Sequence, residues 1–363
     1  RFLNGTQVFE PVHVDTDAEF RMHAFSTDLD FSDVRGQENV RRAMEVAAAG
    51  GHNMLMVGPP GAGKSMMAKR LPSILPPLTL EEALETTKIY SVAGMMSRRK
   101  ENNGMASALI VQRPFRSPHH TVTDVALVGG GSNPQPGEIS LAHNGVLFLD
   151  ELPEYKRTAL EVLRQPLEDR RICITRAKHN VEYPAGFMLV AAMNPCPCGH
   201  YGENNSAHPC TCTPAQIHRY MSRISGPLLD RIDIQCDIQP VPYTLLKEEQ
   251  PSESSAAIRE RVMRARAIQQ LRFAEYNQTA TTPIHCNAQM TPKLVRIYCP
   301  LDTQGDKLLA YSMEKLGLSA RAYDRILKVA RTIADLTESK TIAASHLMEA
   351  ISYRNLDRSD WLG

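Results

Sequence analysis

Gly58-Pro59-Pro60-Gly61-Ala62-Gly63-Lys64-Ser65, followed by Met66, has the spacing G-x-x-x-x-G-K-S, a pattern that cradles phosphate. Its glycines let backbone N–H groups crowd a β-phosphate, Lys64 reaches the β and γ oxygens, and the Ser65 hydroxyl is placed to hold Mg²⁺. Whatever the chain does should therefore run on a nucleoside triphosphate with Mg²⁺. Asp150 and Glu151 end the apolar run Val146-Leu147-Phe148-Leu149. Phosphoryl transfer needs such a pair, one carboxylate to orient the metal and one to position the attacking water. Asp150 takes the first task and Glu151 the second. Asn194 ends another apolar run, where its amide could bond the γ-phosphate or that water.

Charge builds on the γ-phosphoryl oxygens during transfer, and an Arg from a neighbouring subunit can stabilise it. Arg231, in the stretch from Arg223 to Asp233, is the first choice for an exposed finger and Arg223 the second; pairing of Arg231 with Asp230 or Asp233 is the plainer alternative. Arg321 opens a long amphipathic helix, where a cation is locally disfavoured and could reach across to bound phosphate. Cys196-Pro197-Cys198 and Cys210-Thr211-Cys212 are two C-x-C pairs separated by eleven residues. Four thiolates would satisfy a tetrahedral Zn²⁺, with His200 or His208 as alternative ligands, and reduced thiols or a redox pair as the alternative to metal. Cys173, Cys236, Cys286 and Cys299 lack partner spacing and read as ordinary buried thiols.

A polymer could be gripped by cations on protruding loops: Arg176, Lys178 and His179 at a hairpin tip, and Arg113, Arg116, His119 and His120. Arg259, Arg261, Arg264, Arg266 and Arg272 form a basic stripe that reads as a solvated helix face. Aromatic residues do not interleave with these cations, so base stacking is not indicated.

These residues need a scaffold, and the pattern of apolar runs supplies one. Met54 to Val57, Val146 to Leu149 and 187–194 are buried strands ending in polar groups, as in a parallel sheet whose carboxyl ends face a ligand. Helices are expected over 31–51, 81–88 and 158–167, and a hairpin over 171–176 and 180–183. Residues 92–143, rich in Gly, Ser, Pro and His, read as loops and short inserted elements. Beyond Pro251 the period is helical throughout: 255–276, 293–298, 306–316, 320–336 and 345–354. The fold class is thus α/β followed by an all-helical domain.

The chain has 363 residues, enough for two or three domains, and 41 Lys+Arg against 40 Asp+Glu leave a formal charge of +1. Any basic surface must then be local, because no bulk positive field exists. No run of eighteen apolar residues occurs, so a soluble, cytoplasmic protein without membrane contact is expected, and its eight Cys read as thiols or metal ligands. The opening Arg1-Phe2-Leu3-Asn4-Gly5 reads as the tail of an upstream module, or equally as a leader.

The strings FSDVRGQ, GPPGAGKS, RPFRSPHHT, LAHNGVLFLDELPEY, LRQPLEDRRICITRA, NPCPCG, ISGPLLDRIDI and SARAYDRILKVARTIADL resemble the YifB/ComM family of magnesium-chelatase-like AAA+ ATPases. The likeness runs from Phe31 to about Arg354. It implies an AAA+ core over 26–245 with a presensor-1 hairpin, a helix-2 insert and the cysteine loop at 196–212. It also implies a helical lid over 246–363 and a homohexameric ring. In family terms Lys64 and Ser65 are Walker A, Asp150 and Glu151 Walker B, Asn194 sensor 1, Arg231 the arginine finger and Arg321 sensor 2. Family members carry an N-terminal Lon-protease-like domain, of which 1–25 would be a remnant or the linker to it. The activity implied is an ATP-driven DNA translocase or helicase promoting branch migration on single-stranded or branched DNA, with no small-molecule substrate besides ATP. The magnesium-chelatase relationship implies the alternative, a motor that remodels a protein partner.

Overall fold

The structure, a computed structural model, describes residues 29–96, 109–131, 134–176, 179–202, 209–246 and 252–354; for 175, 176, 179, 243 and 246 it describes the backbone alone. Residues 1–25, Lys178 and His208 lie outside the described residues.

The strands are β1 (Met54–Val57), β2 (Phe115–Arg116), β3 (Gly129–Gly130), β4 (Gln135–Pro136), β5 (Val146–Leu149), β6 (Arg171–Arg176), β7 (His179–Pro184), β8 (Met188–Met193) and β9 (Ile234–Asp237). β2, β5, β8, β1 and β9 form one sheet in that order, and every pairing in it is parallel. β3 with β4, and β6 with β7, make separate antiparallel pairs. The expected strands are thus present, and β8 lies between the strand that enters the phosphate loop and the strand that ends in Asp150.

Every residue of β1, β5 and β8 is buried, so these strands have no polar face. Alternate side chains feed two cores. Met54, Met56, Val146, Phe148, Val190 and Ala192 point to one, and Leu55, Val57, Leu147, Leu149, Leu189 and Ala191 to the other. The longer helices are α1 (Glu38–Gly50), α2 (Lys64–Arg70), α3 (Leu80–Val92), α4 (Pro214–Met221), α5 (Ser255–Thr279), α6 (Pro292–Tyr298), α7 (Thr303–Leu316), α8 (Ala320–Leu336) and α9 (Ala344–Ser352). The first core is roofed by α1 and by the late helices α5 and α8, which pack on α1 and on each other. The second is covered by α4, the short helices between 138 and 169, and the cysteine loop.

Two helices differ from expectation for local reasons. The one expected from Phe31 begins at Glu38, because Asp30 caps a separate 3₁₀ turn and Gly36 and Gln37 are both left-handed. The one expected over 158–167 is split into Arg157–Val162 and Arg164–Asp169. Pro166 has no N–H to donate to the preceding turn, which favours the break. α3 starts on a capping box between Thr79 and Glu82 and runs on to Val92.

The sheet edge at β9 is closed by the chain's late helices. Gln235 N–H donates to Tyr353 O at 2.8 Å, and the buried Arg354 guanidinium donates to Ile232 O. At the start of β1, buried His52 bridges Asp233 at 3.2 Å and Thr332 Oγ1 of α8 at 2.8 Å. Gly50 makes room for that ring, since a Cβ there would stand 2.1 Å from His52 Nε2. The helical region is therefore seated on the core through one continuous apolar cluster and a buried polar seam.

Candidate nucleotide and metal sites

The turn after β1 has the conformation that its glycines allow: Gly61 and Gly63 lie at φ 77° and 93°. Gly58 is required by close approach, because a Cβ there would sit 2.2 Å from Ile238 O. α2 starts at Lys64, so the loop delivers the backbone N–H groups of a helix start to one spot. Lys64 Nζ donates to Gly58 O at 2.6 Å, Pro59 O at 2.8 Å and Asn194 Oδ1 at 3.1 Å. Burial lowers the Lys64 pKa, against the charges of Asp150 and Glu151. Ser65 Oγ donates to Asp150 Oδ2 at 2.5 Å, so hydroxyl and carboxylate already stand side by side. Three strand ends thus converge: β1 supplies the loop, β5 the acids and β8 the amide.

This donor set fits ATP and Mg²⁺. The ammonium sits on loop carbonyls that phosphate oxygens can replace, and a hydroxyl and carboxylate in contact suit a hard cation. Met66 turns outward, about a third exposed, and its side-chain end lies near Gly63.

Glu151 adopts the left-handed conformation, φ 53°, which is uncommon for a residue with a Cβ. Its carboxylate accepts from His120 Nδ1 at 3.0 Å, and the His120 ring stands edge-on to Tyr155. His120 was expected among polymer contacts. Its position beside Glu151 follows from β2 pairing with β5, which brings the segment after β2 to the end of β5. The only signal in the sequence was a histidine pair shortly after a short apolar-basic run.

The arginines are distributed otherwise than expected. Arg231 is buried, not exposed: it donates to Glu168 and, at 2.5 Å, to Pro227 O, while its Nε is buried without a partner. Its partner is thus neither Asp230 nor Asp233. Arg223 is half-exposed and pairs with Glu154 at 2.9 Å. Arg321 does not face the phosphate loop of its own chain; it pairs with Asp230 at 3.4 Å. Asp230 and Arg231 precede β9, and Asn53 Nδ2 donates to Arg231 O at 3.0 Å at the start of β1. That end of the sheet lies about 16 Å, five strand residues, from Gly58.

Most other candidate polymer cations are engaged internally. Arg113 bonds Pro76 O, Asn144 O and Glu82, and Arg116 makes a bidentate pair with Glu138, both contacts at 2.6 Å. Most arginines of α5 are struts rather than a solvated stripe, while Arg264 is exposed, as are the acids that it pairs with. Arg261 holds Glu45 and Glu253, Arg264 holds Glu260 and Glu338, and Arg272 holds buried Asp335; Arg266 donates to Ala48 O and Arg259 to Ser73 O. Arg176 and His179 pair at the end of the β6–β7 hairpin, where the sequence reading put them.

All four cysteines of the loop come together, every Sγ within 4.8 Å of the others. Cys196 Sγ lies 3.3 Å from Cys198 and 3.7 Å from Cys210, and Cys198 lies 3.5 Å from Cys210. Burial raises the Cys210 thiol, to about 12, and that of Cys212, whereas at Cys198 backbone N–H groups of His200 and Thr211 outweigh burial and hold the thiol down to about 5. Cys198 is thus favoured as thiolate beside Cys210 and Cys212, which hold their protons more tightly. Cys236, Cys286 and Cys299 are buried as expected, but Cys173 is exposed on β6, near Glu182.

A parallel sheet with this strand order, a phosphate loop after β1 and paired acids after β5 defines an AAA+ ATPase fold. The chain belongs to the magnesium chelatase ChlI family: the model "Magnesium chelatase, subunit ChlI" matches residues 30–246, and that of the ChlI C-terminal part matches 252–354. Membership implies ATP and Mg²⁺. The chain is 46% identical over 359 residues to the uncharacterized protein YifB of Escherichia coli, covering 98% of this chain and 65% of that protein. It is 44% identical over 361 residues to competence protein ComM of Haemophilus influenzae, covering 99% and 66%. Lon protease 2 of Bacillus subtilis is 28% identical over 194 residues, 46% of this chain and 33% of its own. The chain therefore spans about two thirds of the length of YifB and ComM. No helix among the described residues is long and apolar enough to cross a membrane.

Proposed function

We propose that this chain is the motor of a ring-forming, ATP-driven DNA translocase that promotes branch migration. The observation that carries the ATPase half is the convergence of Lys64, Ser65, Asp150 and Asn194 through direct hydrogen bonds at three strand ends. Lys64 takes the β and γ oxygens, and the loop 58–63 wraps the phosphates. Ser65 and Asp150 hold Mg²⁺, which when bound neutralises phosphate charge. Glu151 leaves His120 to orient the attacking water, and Asn194 aligns it. The likeness to competence protein ComM supports DNA as the substrate, and the hairpin bearing Arg176, Lys178 and His179 is the proposed grip.

The ring reading is supported by the position of the arginines. Arg231, Arg321 and Asp230 cluster at the sheet end remote from their own phosphate loop, so they are best used by a neighbour's nucleotide. Arg231 is then the finger, released from Glu168 on assembly, with Arg223 the second candidate and Arg321 the partner cation. The domains take the limits 26–245 for the core and 246–363 for the helical part. The cysteine cluster holds a structural Zn²⁺, because four convergent sulfurs in a polar loop match its preferred tetrahedral donor set.

ATP turnover measured against single-stranded, duplex and branched DNA tests this reading. Stimulation by branched or single-stranded DNA, and loss of strand exchange in Arg176→Ala and Lys178→Ala with turnover retained, is the expected result. Stimulation by a protein partner and by no DNA would overturn it in favour of the protein-remodelling motor that the chelatase family name suggests.

A further inference from the structure

The cysteine loop is not a remote appendage. Gly199, one residue past Cys198, lies against the phosphate loop: a Cβ there would stand 2.5 Å from Pro60 Cδ and 2.8 Å from Cγ. Its φ of 89° is left-handed, and its N–H donates to Cys196 O at 3.0 Å, so the same tight turn presents two sulfurs and touches Pro60. Upstream, Asn194 accepts from Lys64, and Gly58 N–H donates to Met193 O at 3.2 Å. Downstream, Cys212 is two residues from α4, which packs with Cys196 in the second core. Sulfur contacts among Cys196, Cys198 and Cys210, with Cys212 within 4.8 Å, therefore join both flanks of the turn that abuts the nucleotide loop.

We infer that the cysteine loop, closed on one zinc ion, braces the phosphate loop through Gly199 and Pro60 and through Asn194 and Lys64, so that nucleotide affinity depends on the metal. The inference rests on the zinc reading above. Gly199 and the four cysteines are positioning residues: none is required to touch ATP. A metal that closes a polar loop contributes folding energy to that loop. Without it, the turn carrying Asn194 and Gly199 loses its cross-link, and the loop 58–63 loses a wall.

The test measures zinc content and binding of a fluorescent ATP analogue on the same purified samples, with circular dichroism as the fold control. Wild type should carry about one equivalent of zinc. Cys198→Ser and Cys210→Ser should lose the metal and bind nucleotide about tenfold more weakly, the size of a single lost contact. Gly199→Ala should keep its zinc and still bind weakly, and adding Pro60→Ala in that background should restore part of the affinity, a coupling that a merely structural role would not give. Cysteine variants that lose zinc yet bind ATP like wild type would overturn the brace, as would strictly additive effects of Gly199→Ala and Pro60→Ala. Less than about half an equivalent of zinc in wild type would sink the zinc reading, while the Gly199 and Pro60 cycle still judges the contact. Should the cysteine variants fail to fold, that cycle decides.

Discussion

At the carboxyl end of the sheet, Lys64, Ser65, Asp150, Glu151 and Asn194 bond to one another, to loop carbonyls or to His120, contacts that a nucleotide can replace, and Glu151 is half-exposed. At the seam with the late helices, charges of the same kinds are locked. Asp233 is held by Arg325 and His52, and Asp335, with no exposure, accepts from Arg272, Arg331 and Asn287. On the proposed function, charge at the first end is kept for a ligand, whereas at the second it fixes where the helical region sits. A buried pair costs desolvation and adds little net stability, but removing one partner is expensive because the other is stranded.

Four substitutions or conditions would break or sharpen this contrast. Glu151→Gln should lower ATP turnover by about a hundredfold or more, with nucleotide binding and melting temperature unchanged. A matching loss of stability would mean that Glu151 belongs with the locked charges. Asp335→Ala should show the opposite profile, costing about 3 kcal/mol in urea unfolding because Arg272 and Arg331 are left buried without their carboxylate. If it left stability alone and altered turnover, the seam would have to be reassigned.

Acidification should act on the seam next. Burial disfavours the imidazolium and lowers the His52 pKa, so the folded state binds fewer protons there than the unfolded chain. Stability from His52 is present above its unfolded value of about 6.5 and is lost as pH falls below it. Burial raises Asp233, but the Arg325 charge and His52 more than reverse this and hold it well below the carboxylate range. Its contribution is present above about 3.9 and lost only in stronger acid. Melting temperature should therefore fall between pH 7 and 5, and His52→Gln should flatten that fall; an unaltered slope would count against His52. Smallest of all, Arg223→Ala should change stability by no more than about 0.5 kcal/mol, since its pair with Glu154 is exposed.

How far the sequence could be read depended on the range of the information. α8 begins and ends where the periodicity placed it, at Ala320 and Leu336, because an apolar stripe, a Ser319 cap and a strong helical period are local. The split at Leu163 was missed because the helical period continued across Pro166. Arg113, Arg116 and several α5 arginines looked like surface cations because acceptors that hold them lie outside their own element: Arg261 is 216 residues from Glu45.

By itself the sequence determined the phosphate loop, the acid pair, the buried strands and the two C-x-C pairs, since each depends on the types and spacing of neighbouring residues. Only the tertiary structure decided the strand order, the pairing of His120 with Glu151, the burial of Arg231 on Glu168 and the seating of Gly199 against Pro60. Those contacts join segments tens to hundreds of residues apart, and what selects among them is the packing of two cores and the satisfaction of buried charge, which no local pattern encodes.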